Sequence, residues 1–248
     1  MGRKVIIIIT SILIVDQIIK IWIKESFAPY QTKNLISGFL QLYYVENKGM
    51  AFGATLGSGA FAKYTLSLFR LIVISGIIFY LRKIIKEKTA PFGMVIAVSL
   101  VVAGATGNLI DSVCYDLIYS IDPNITWNLA TDANNQFIMD PETMYPKLRP
   151  HGFLLGSVVD MFQFTTVWPS WMPTLNLTLP SWLGGAELVD IKAGKEIFSA
   201  IWNLADFVIS IGVGLILVKY RKYFGQTTKS KSDVEEDLAV AEPSAGQE

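Results

Sequence analysis

The chain has 248 residues, no net formal charge, 52% hydrophobic residues and only 17% charged residues. Its mean hydropathy is +0.42, and it contains several apolar runs of about twenty residues. This composition excludes an ordinary water-soluble domain and is typical of an integral membrane protein. The single cysteine, Cys114, excludes an intramolecular disulfide.

The first apolar run, residues 4–23, consists mostly of Ile, Leu and Val and begins beside Arg3 and Lys4. A basic start before an apolar run is typical of a secretory signal peptide, but no Ala-x-Ala cleavage site follows. We therefore expect a retained first membrane span. Asp16 and Lys20 lie four residues apart within it, on one helix face, where their charges can partly neutralise each other.

Two further apolar runs, residues 64–81 and 93–114, predict the second and third spans. The connection at 24–63 contains an aromatic and β-branched run at 39–45 that predicts a strand, and we expect a short sheet at the membrane surface. Asn108 and Asp111 lie near the C-terminal end of the third run. They are three residues apart and therefore occupy neighbouring positions on a helix. The same run carries small residues that let helices pack closely, namely Ala103, Gly104, Ala105 and Gly107.

Residues 115–197 form a long polar and aromatic insertion that seven prolines divide into short pieces. Within it, the compact apolar run 156–164 surrounds a single acid, Asp160. A fourth span is predicted over residues 198–218, with the carboxylate of Asp206 about a third of the way along. A carboxylate inside a span costs about 2.5–3.5 kcal/mol on insertion scales, so such an acid is usually paired, interior-facing and functional.

Basic residues near the ends of the spans set the expected orientation. The N-terminus and the stretches 82–88 and 219–231 together hold eleven Lys and Arg, whereas the insertion 115–197 holds four against nine acids. We therefore expect both termini in the cytoplasm. Residues 24–63 and the insertion are then expected outside the cytoplasm, with Asp111, Asp160 and Asp206 at or just below the same outer membrane face.

The expected fold class is a mainly α integral membrane protein with four transmembrane helices, a small extracytoplasmic β-sheet and a long extracytoplasmic insertion. The four spans are predicted at about 4–23, 64–81, 93–114 and 198–218. Residues 1–224 are expected to form one membrane domain. The tail at 225–248 is rich in Ser, Thr and Glu and is expected to be disordered and cytoplasmic.

Asp160 and Asp206 are the carboxylates that we select as a reactive pair. Two carboxyl groups held close together cannot both ionise cheaply, so they share one proton. The ionised member can take a proton from an attacking water while the protonated member donates to a peptide carbonyl oxygen. This chemistry requires no metal, no cofactor and no covalent intermediate. The single histidine, His151, cannot make a multi-histidine zinc site, and no nucleophile elbow or phosphate loop is visible.

Structural interpretations of the same residues stay open at this point. Asp160 can be a solvated acid at a turn, although its apolar neighbours argue against this. Asp206 can pair with Lys20 or accept a hydrogen bond from Asn203. The other polar candidates can be helix caps or cross-links (Asn108 and Asp111) or an ordinary turn (Asn47-Lys48-Gly49).

Five short segments, in order, resemble lipoprotein signal peptidase (signal peptidase II), the four-span aspartic peptidase family of the bacterial inner membrane. They are Val15-Asp16-Gln17-Ile18-Ile19-Lys20, Asn47-Lys48-Gly49-Met50-Ala51-Phe52-Gly53, Gly104-Ala105-Thr106-Gly107-Asn108-Leu109-Ile110-Asp111, Val158-Val159-Asp160-Met161-Phe162 and Asn203-Leu204-Ala205-Asp206. Each segment alone is weak, whereas five in the right order make a specific match over nearly all of residues 5–218.

The resemblance implies that Asp160 and Asp206 are the catalytic dyad. It implies that eight further residues support the dyad or bind substrate: Asp16, Lys20, Asn47, Gly49, Asn108, Asp111, Asn203 and Ala205. The implied reaction is cleavage of a prolipoprotein just before a cysteine that already carries diacylglycerol, at the periplasmic face of the inner membrane. Membrane lipids are further expected partners, nucleic acid is not, and a monomer is the expected state.

The sequence departs from the family pattern in two places. The family usually has Arg directly after its Asn-x-x-Asp motif, whereas Ser112 stands here, so the role of that arginine is either dropped or supplied elsewhere; Arg149 is one candidate. The stretches from Asp111 to Asp160 and from Asp160 to Asn203 are also longer than is usual for the family. We expect these insertions to form a lid or platform over the cleft.

Two other function classes compete with the peptidase. One is a small proton-coupled carrier that uses Asp16, Lys20, Asp111 and Asp206 as a relay, and the other is a structural membrane subunit. Four spans are few for a carrier, inverted repeats are not apparent, and the acids cluster at one face instead of crossing the bilayer. The sequence therefore favours the peptidase.

Overall fold

The computed structural model describes residues 1–48, 60–88, 90–132, 136–178, 187–221 and 223. Its helices are α1 (Gly2–Ser26), α2 (Ala60–Glu87), α3 (Phe92–Ile118) and α4 (Leu204–Lys219), with a 3-10 turn at Thr126–Asn128. Its strands are β1 (Thr32–Ile36), β2 (Leu40–Asn47), β3 (Val158–Phe164), β4 (Leu175–Thr178), β5 (Glu187–Ile191) and β6 (Ile201–Trp202). Gly49 and the predicted tail at 225–248 lie outside the described residues.

Three of the described helices, α1, α2 and α3, are long and apolar enough to cross a membrane. The shortest has 25 residues, or about 38 Å at 1.5 Å per residue, which exceeds the roughly 30 Å hydrocarbon core. These helices contain the three predicted spans and extend beyond each of them. Hydropathy marks only the apolar part of a helix, because the backbone hydrogen bonds continue into polar flanking residues.

The start of the predicted fourth span is wrong. Ile201 and Trp202 are paired with β3, and the helix begins at Leu204 instead of residue 198. The physical reason is a capping box, in which Asn203 and Asp206 satisfy each other's backbone N–H groups. Asp206 therefore lies in the first turn of α4, not a third of the way along a span. With 16 residues, α4 is about 24 Å long.

The predicted short sheet is present, with four antiparallel strands in the order β1-β2-β3-β6. The predicted strand at 39–45 corresponds to β2, where Val45 lies opposite Asp160. Successive side chains of a strand point to opposite faces, so Asp160 shares one face of β3 with Phe162 while Val159 and Met161 point to the other. Val159 and Met161 are buried in the core cluster. The solvated-turn interpretation of Asp160 is therefore wrong.

Two hydrophobic clusters mark the two ends of the helical bundle. One contains Val5, Leu81, Ile84 and Met94, with Tyr220 packed against it. The other contains Ile23, Leu42, Tyr115, Trp127 and Met161. The sheet, the end of α1 and the end of α3 therefore lie at one end of the bundle, and the start of α1 and the end of α4 lie at the other.

The central helix of the bundle is α3, which contacts α1, α2 and α4. Its small residues permit this, as predicted: a Cβ added to Gly104 would lie 2.3 Å from the backbone oxygen of Ala205. A Cβ added to Gly107 would lie 2.7 Å from Oδ2 of Asp16. The glycines thus bring α1 and the start of α4 into direct contact with α3.

The sequence left open the fold of 115–155 and 165–197, the parts of the insertion on either side of β3; their described residues include two small groups of β contacts. Residues 129–148 are linked by isolated bridges such as Leu129 with Leu148. Strands β4 and β5 form an antiparallel pair. The proposal that these segments form a lid or platform remains a prediction.

Candidate active site

Asp206 occupies the third position of α4, where its carboxylate completes the capping box. Its Oδ2 accepts a hydrogen bond from the backbone N–H of Asn203 at 3.3 Å, and its own N–H donates to Oδ1 of Asn203 at 3.0 Å. Its Oδ1 accepts a hydrogen bond from Nδ2 of Asn108 at 2.8 Å. The side chain is half-buried, so an ionised Asp206 has two donors and the positive end of a helix dipole beside it.

Asp160 has a much drier environment on the third strand. It is only 3% exposed, on a strand whose neighbours in sequence are apolar. Its Oδ1 accepts a hydrogen bond from Nδ2 of Asn203 at 2.7 Å, and its Oδ2 accepts one from Nδ2 of Asn47 at 3.2 Å. Burial, together with the neighbouring charge of Asp206, raises the pKa of Asp160 to about 7. An acid in this position keeps its proton up to near-neutral pH.

Asn203 connects the two carboxylates. Its backbone N–H donates a hydrogen bond to Asp206. Its side-chain amide donates to Asp160 and also to Oδ1 of Asn108 at 3.1 Å. The side chain of Asn108 in turn donates to Asp206. The two acids, 46 positions apart in sequence, are thus joined through one fully buried asparagine that ends a strand and begins a helix.

A buried charge cluster lies behind this pair. Nζ of Lys20 is 3.0 Å from Oδ2 of Asp16 and 2.8 Å from Oδ2 of Asp111, and it donates to Oδ1 of Asn108 at 2.9 Å. The exposed fractions of Lys20, Asp16 and Asp111 are 0%, 1% and 0%. The predicted Asp16–Lys20 pairing is confirmed, and pairing of Lys20 with Asp206 is not found. Of the two structural interpretations left open for Asn108 and Asp111, helix caps or cross-links, their contacts with Lys20 on α1 and of Asn108 with Asp206 on α4 are cross-links.

The same cluster fixes the start of α4 and the position of β3. Oδ1 of Asp16 accepts a hydrogen bond from the backbone N–H of Ala205 at 3.0 Å. Oδ2 of Asp111 accepts one from the backbone N–H of Val159 at 3.2 Å. Each backbone group belongs to a residue directly beside a member of the pair, so the cluster sets the positions of both Asp206 and Asp160.

The chain matches a family model over most of its length. The model is described as signal peptidase (SPase) II, and it matches residues 8–222. This chain belongs to the signal peptidase II family.

Two lipoprotein signal peptidases agree with the assignment of this signal peptidase II. A lipoprotein signal peptidase from Porphyromonas gingivalis (strain ATCC 33277) is 36% identical over 222 residues, which cover 88% of this chain and 83% of the relative. A lipoprotein signal peptidase from Amoebophilus asiaticus (strain 5a2) is 27% identical over 84% of this chain and 73% of its own length. A solved structure described as a bacterial membrane enzyme has a TM-score of 0.49 and 19% identity, covering 98% of this chain and 94% of that one.

Family membership decides between the competing function classes. A signal peptidase II is a peptidase, that is, a hydrolase of peptide bonds. The carrier and the structural subunit are therefore not favoured. The helices and the family together make the chain an integral membrane enzyme of lipoprotein processing.

The structure brings together every predicted site residue that it describes. Asp160 and Asp206 share Asn203, and the supporting contacts come from Asp16, Lys20, Asn47, Asn108, Asp111 and the backbone of Ala205. Gly49 is the exception, because it lies outside the described residues. Whether these residues perform catalysis is a proposal, argued below.

Gln17 was not predicted from the sequence as a site residue, and the candidate Arg149 has a different partner in the structure. Nε2 of Gln17 donates to Oδ1 of Asp111 at 3.0 Å and to Oδ2 of Asp16 at 3.2 Å. A polar residue inside an apolar span was the available signal. Arg149 does not replace the family arginine near Ser112, because its guanidinium forks onto Asp116 at 2.7 and 2.8 Å.

Proposed function

We propose that this signal peptidase II removes the signal peptide from prolipoproteins that carry a diacylglyceryl cysteine. The cut falls just before that cysteine, and the dyad of Asp160 and Asp206 performs it by activating water. The observation that carries this proposal is the shared contact through Asn203, which joins one dry and one half-exposed carboxyl group.

The different environments of the two acids assign their roles. Asp160 is buried and its pKa is raised, so it is the protonated member and donates to the carbonyl oxygen of the scissile bond. Asp206 is half-buried and accepts two N–H groups at the start of a helix, so we assign it the role of taking a proton from the attacking water. When the tetrahedral intermediate collapses and its C–N bond breaks, Asp206 gives its proton to the leaving amine, and Asp160 takes a proton back from a hydroxyl of the intermediate, so that the pair again holds one proton. We expect no metal and no cofactor in this cycle.

An aromatic surface beside the dyad fits an apolar substrate. The rings of Phe162 and Trp202 lie 4.8 Å apart between centroids, those of Phe164 and Trp202 5.5 Å, and those of Trp202 and Phe207 5.7 Å. Trp202 precedes Asn203, and Phe207 follows Asp206, so this surface adjoins the reacting groups. It can contact the acyl chains of the modified cysteine and the apolar signal segment, because both bury apolar area there.

The proposed orientation places this site at the periplasmic face of the bacterial inner membrane. It takes α4 as the fourth span, with Asp206 near the outer end and Lys219 near the inner end. The clusters at the two ends of the bundle support it, because Val5, Leu81 and Tyr220 share the end that adjoins the basic stretches. Both termini are then cytoplasmic. We further propose that residues 1–224 form one monomeric domain in contact with membrane lipids.

Cleavage of a purified precursor tests the mechanism. The protein in detergent micelles is incubated with a diacylglyceryl-modified prolipoprotein, and release of the signal peptide is followed by gel shift and the new N-terminus by mass spectrometry. Asp160→Asn and Asp206→Asn are each expected to lose at least about 10³-fold in rate, because either change removes one half of the proton exchange. The matched control is Glu142→Gln, an isosteric change at an exposed acid of the insertion.

Two results would count against the proposal. Full activity of either aspartate variant, with unfolding behaviour like that of the wild type, refutes the two-aspartate mechanism. Equal cleavage of the same precursor without its diacylglyceryl group refutes the assigned substrate class while leaving the peptidase assignment in place.

A further inference from the structure

Arg70 is a charged residue in the middle of the apolar helix α2. It is half-buried, and its Nη1 donates a hydrogen bond to Oγ of Ser112 at 3.3 Å. A charged side chain within a span is costly unless it faces the protein interior and has partners there. Arg70 therefore points towards α3 at the level of the buried charge cluster.

Ser112 makes this approach possible because it is small. It directly follows Asp111, is 2% exposed, and its Oγ also donates to the backbone oxygen of Asn108 at 3.2 Å. The guanidinium of Arg70 is thus hydrogen-bonded to the turn of α3 that carries both Asn108 and Asp111. The guanidinium that reaches this turn of α3 therefore comes from a different helix, α2.

The charge of Arg70 interacts with several carboxylates at once. No carboxylate among the described residues lies within 4 Å of Arg70 as a salt-bridge partner, so these interactions act over a longer range. The charged groups that interact with it from the surrounding elements are Asp206 on α4, Asp160 on β3, Asp111 on α3 and Lys63 on α2. Lys20 on α1 also acts on Asp160.

We infer that Arg70 is a positioning residue of the active site, whose guanidinium stabilises the negative charge that Asp160 and Asp206 share. This inference rests on the dyad proposed above. Arg70 does not need to touch the substrate for this role. It favours the ionised form of the pair, and its hydrogen bond to Ser112 keeps its charge next to the turn that contacts Asp206 through Asn108.

The expected consequence is a shift of the pH profile. A nearby cation favours deprotonation, so removing it makes each proton of the pair harder to lose. A plot of kcat/KM against pH has an acidic limb, where the pair gains its second proton, and a basic limb, where it loses its last one. In Arg70→Gln, both limbs should therefore move to higher pH, by about half to one pH unit. Arg70→Lys keeps the charge and should leave both limbs within about 0.3 pH unit of the wild type. A merely structural arginine would alter stability without moving the limbs.

The experiment measures kcat/KM from pH 5 to 9 on a synthetic diacylglyceryl peptide for the wild type, Arg70→Gln and Arg70→Lys. The control is Arg82→Gln, the same change at an exposed position near the other end of α2. A shift in Arg70→Gln that Arg70→Lys restores supports the inference. Limbs that coincide with the wild type in Arg70→Gln overturn it. If Arg70→Gln does not fold, the test uses Arg70→Lys alone. Limbs of its pH profile that lie more than about 0.3 pH unit from those of the wild type overturn the inference, and limbs within that range support it.

The dyad variants separate this inference from the proposed function. If Asp160→Asn and Asp206→Asn are inactive while the limbs of Arg70→Gln stay unchanged, only the role of Arg70 fails. If either dyad variant is fully active, the proposed mechanism fails, and the role of Arg70 fails with it.

Discussion

Replacing Lys20 with methionine should destabilise the fold more than any surface change. Lys20 contacts two carboxylates at 2.8 and 3.0 Å, and all three side chains are shielded from solvent. At an effective dielectric constant of 20, each contact amounts to a gross attraction of about 5 kcal/mol, which the desolvation of the lysine largely offsets. Methionine matches the size of the side chain but leaves Asp16 and Asp111 as two adjacent buried charges. The net loss is expected to be about 3–5 kcal/mol.

The matched control is Lys147→Met in the insertion. Lys147 lies 3.7 Å from Asp140, and the exposed fractions of the two side chains are 46% and 34%. An ion pair of this kind contributes about 0–1 kcal/mol. The measurement is reversible unfolding of the purified protein in mixed micelles, followed by circular dichroism, for both variants and the wild type. A partial recovery is expected when Asp111→Asn is added to Lys20→Met, because one of the two uncompensated charges is then removed.

A loss of less than about 1 kcal/mol in Lys20→Met, equal to that in Lys147→Met, would refute the reasoning. It would mean that the two carboxylates take up protons or reach water without penalty. The cluster would then have no part in holding the start of α4 and the strand β3.

Two further outcomes follow from the site and from helix packing. The rate of precursor cleavage should fall above about pH 7, because Asp160 then loses the proton that it donates; a profile of kcat/KM that is flat or rising up to pH 9 would contradict this role. Gly104→Ala should cost about 1–3 kcal/mol of stability, because the new Cβ would overlap the backbone oxygen of Ala205 at 2.3 Å. Gly76→Ala on α2 is its control, since a Cβ there meets no atom within 4 Å, and an equal stability change in both variants would show that α3 and α4 do not pack as described.

The helices were predictable because apolar length and small-residue spacing are local properties of the sequence. The runs at 64–81 and 93–114 correspond to α2 and α3, and the pairing of Asp16 with Lys20 followed from a spacing of four residues. The strand β2 was predictable from its aromatic and β-branched composition. Each of these predictions used only residues of one continuous segment of the chain.

The position of Asp206 along its helix could not be predicted from the length of the apolar run, because the capping box and not the run determines where the helix begins. Residues 198–203 continue the apolar run, yet Ile201 and Trp202 pair with β3, and Asn203 starts the helix by binding back to Asp206. The contact of Arg70 with α3 could not be predicted from the sequence either. Its partner Ser112 lies 42 positions away on another helix, and only tertiary packing brings the two together.

The unequal environments of the two acids follow from the secondary structures that carry them. A strand at the centre of a sheet, with apolar residues on both sides, removes Asp160 from water and provides it with no helix dipole. The first turn of a helix provides Asp206 with free N–H groups and a positive potential. Asn203 lies where the strand β6 ends and α4 begins, so one residue can contact both acids. A short helix that begins beside the sheet therefore suits this chemistry better than a span that continues past it, because the continuous helix would have carried Asp206 away from Asp160 and deprived it of those donors.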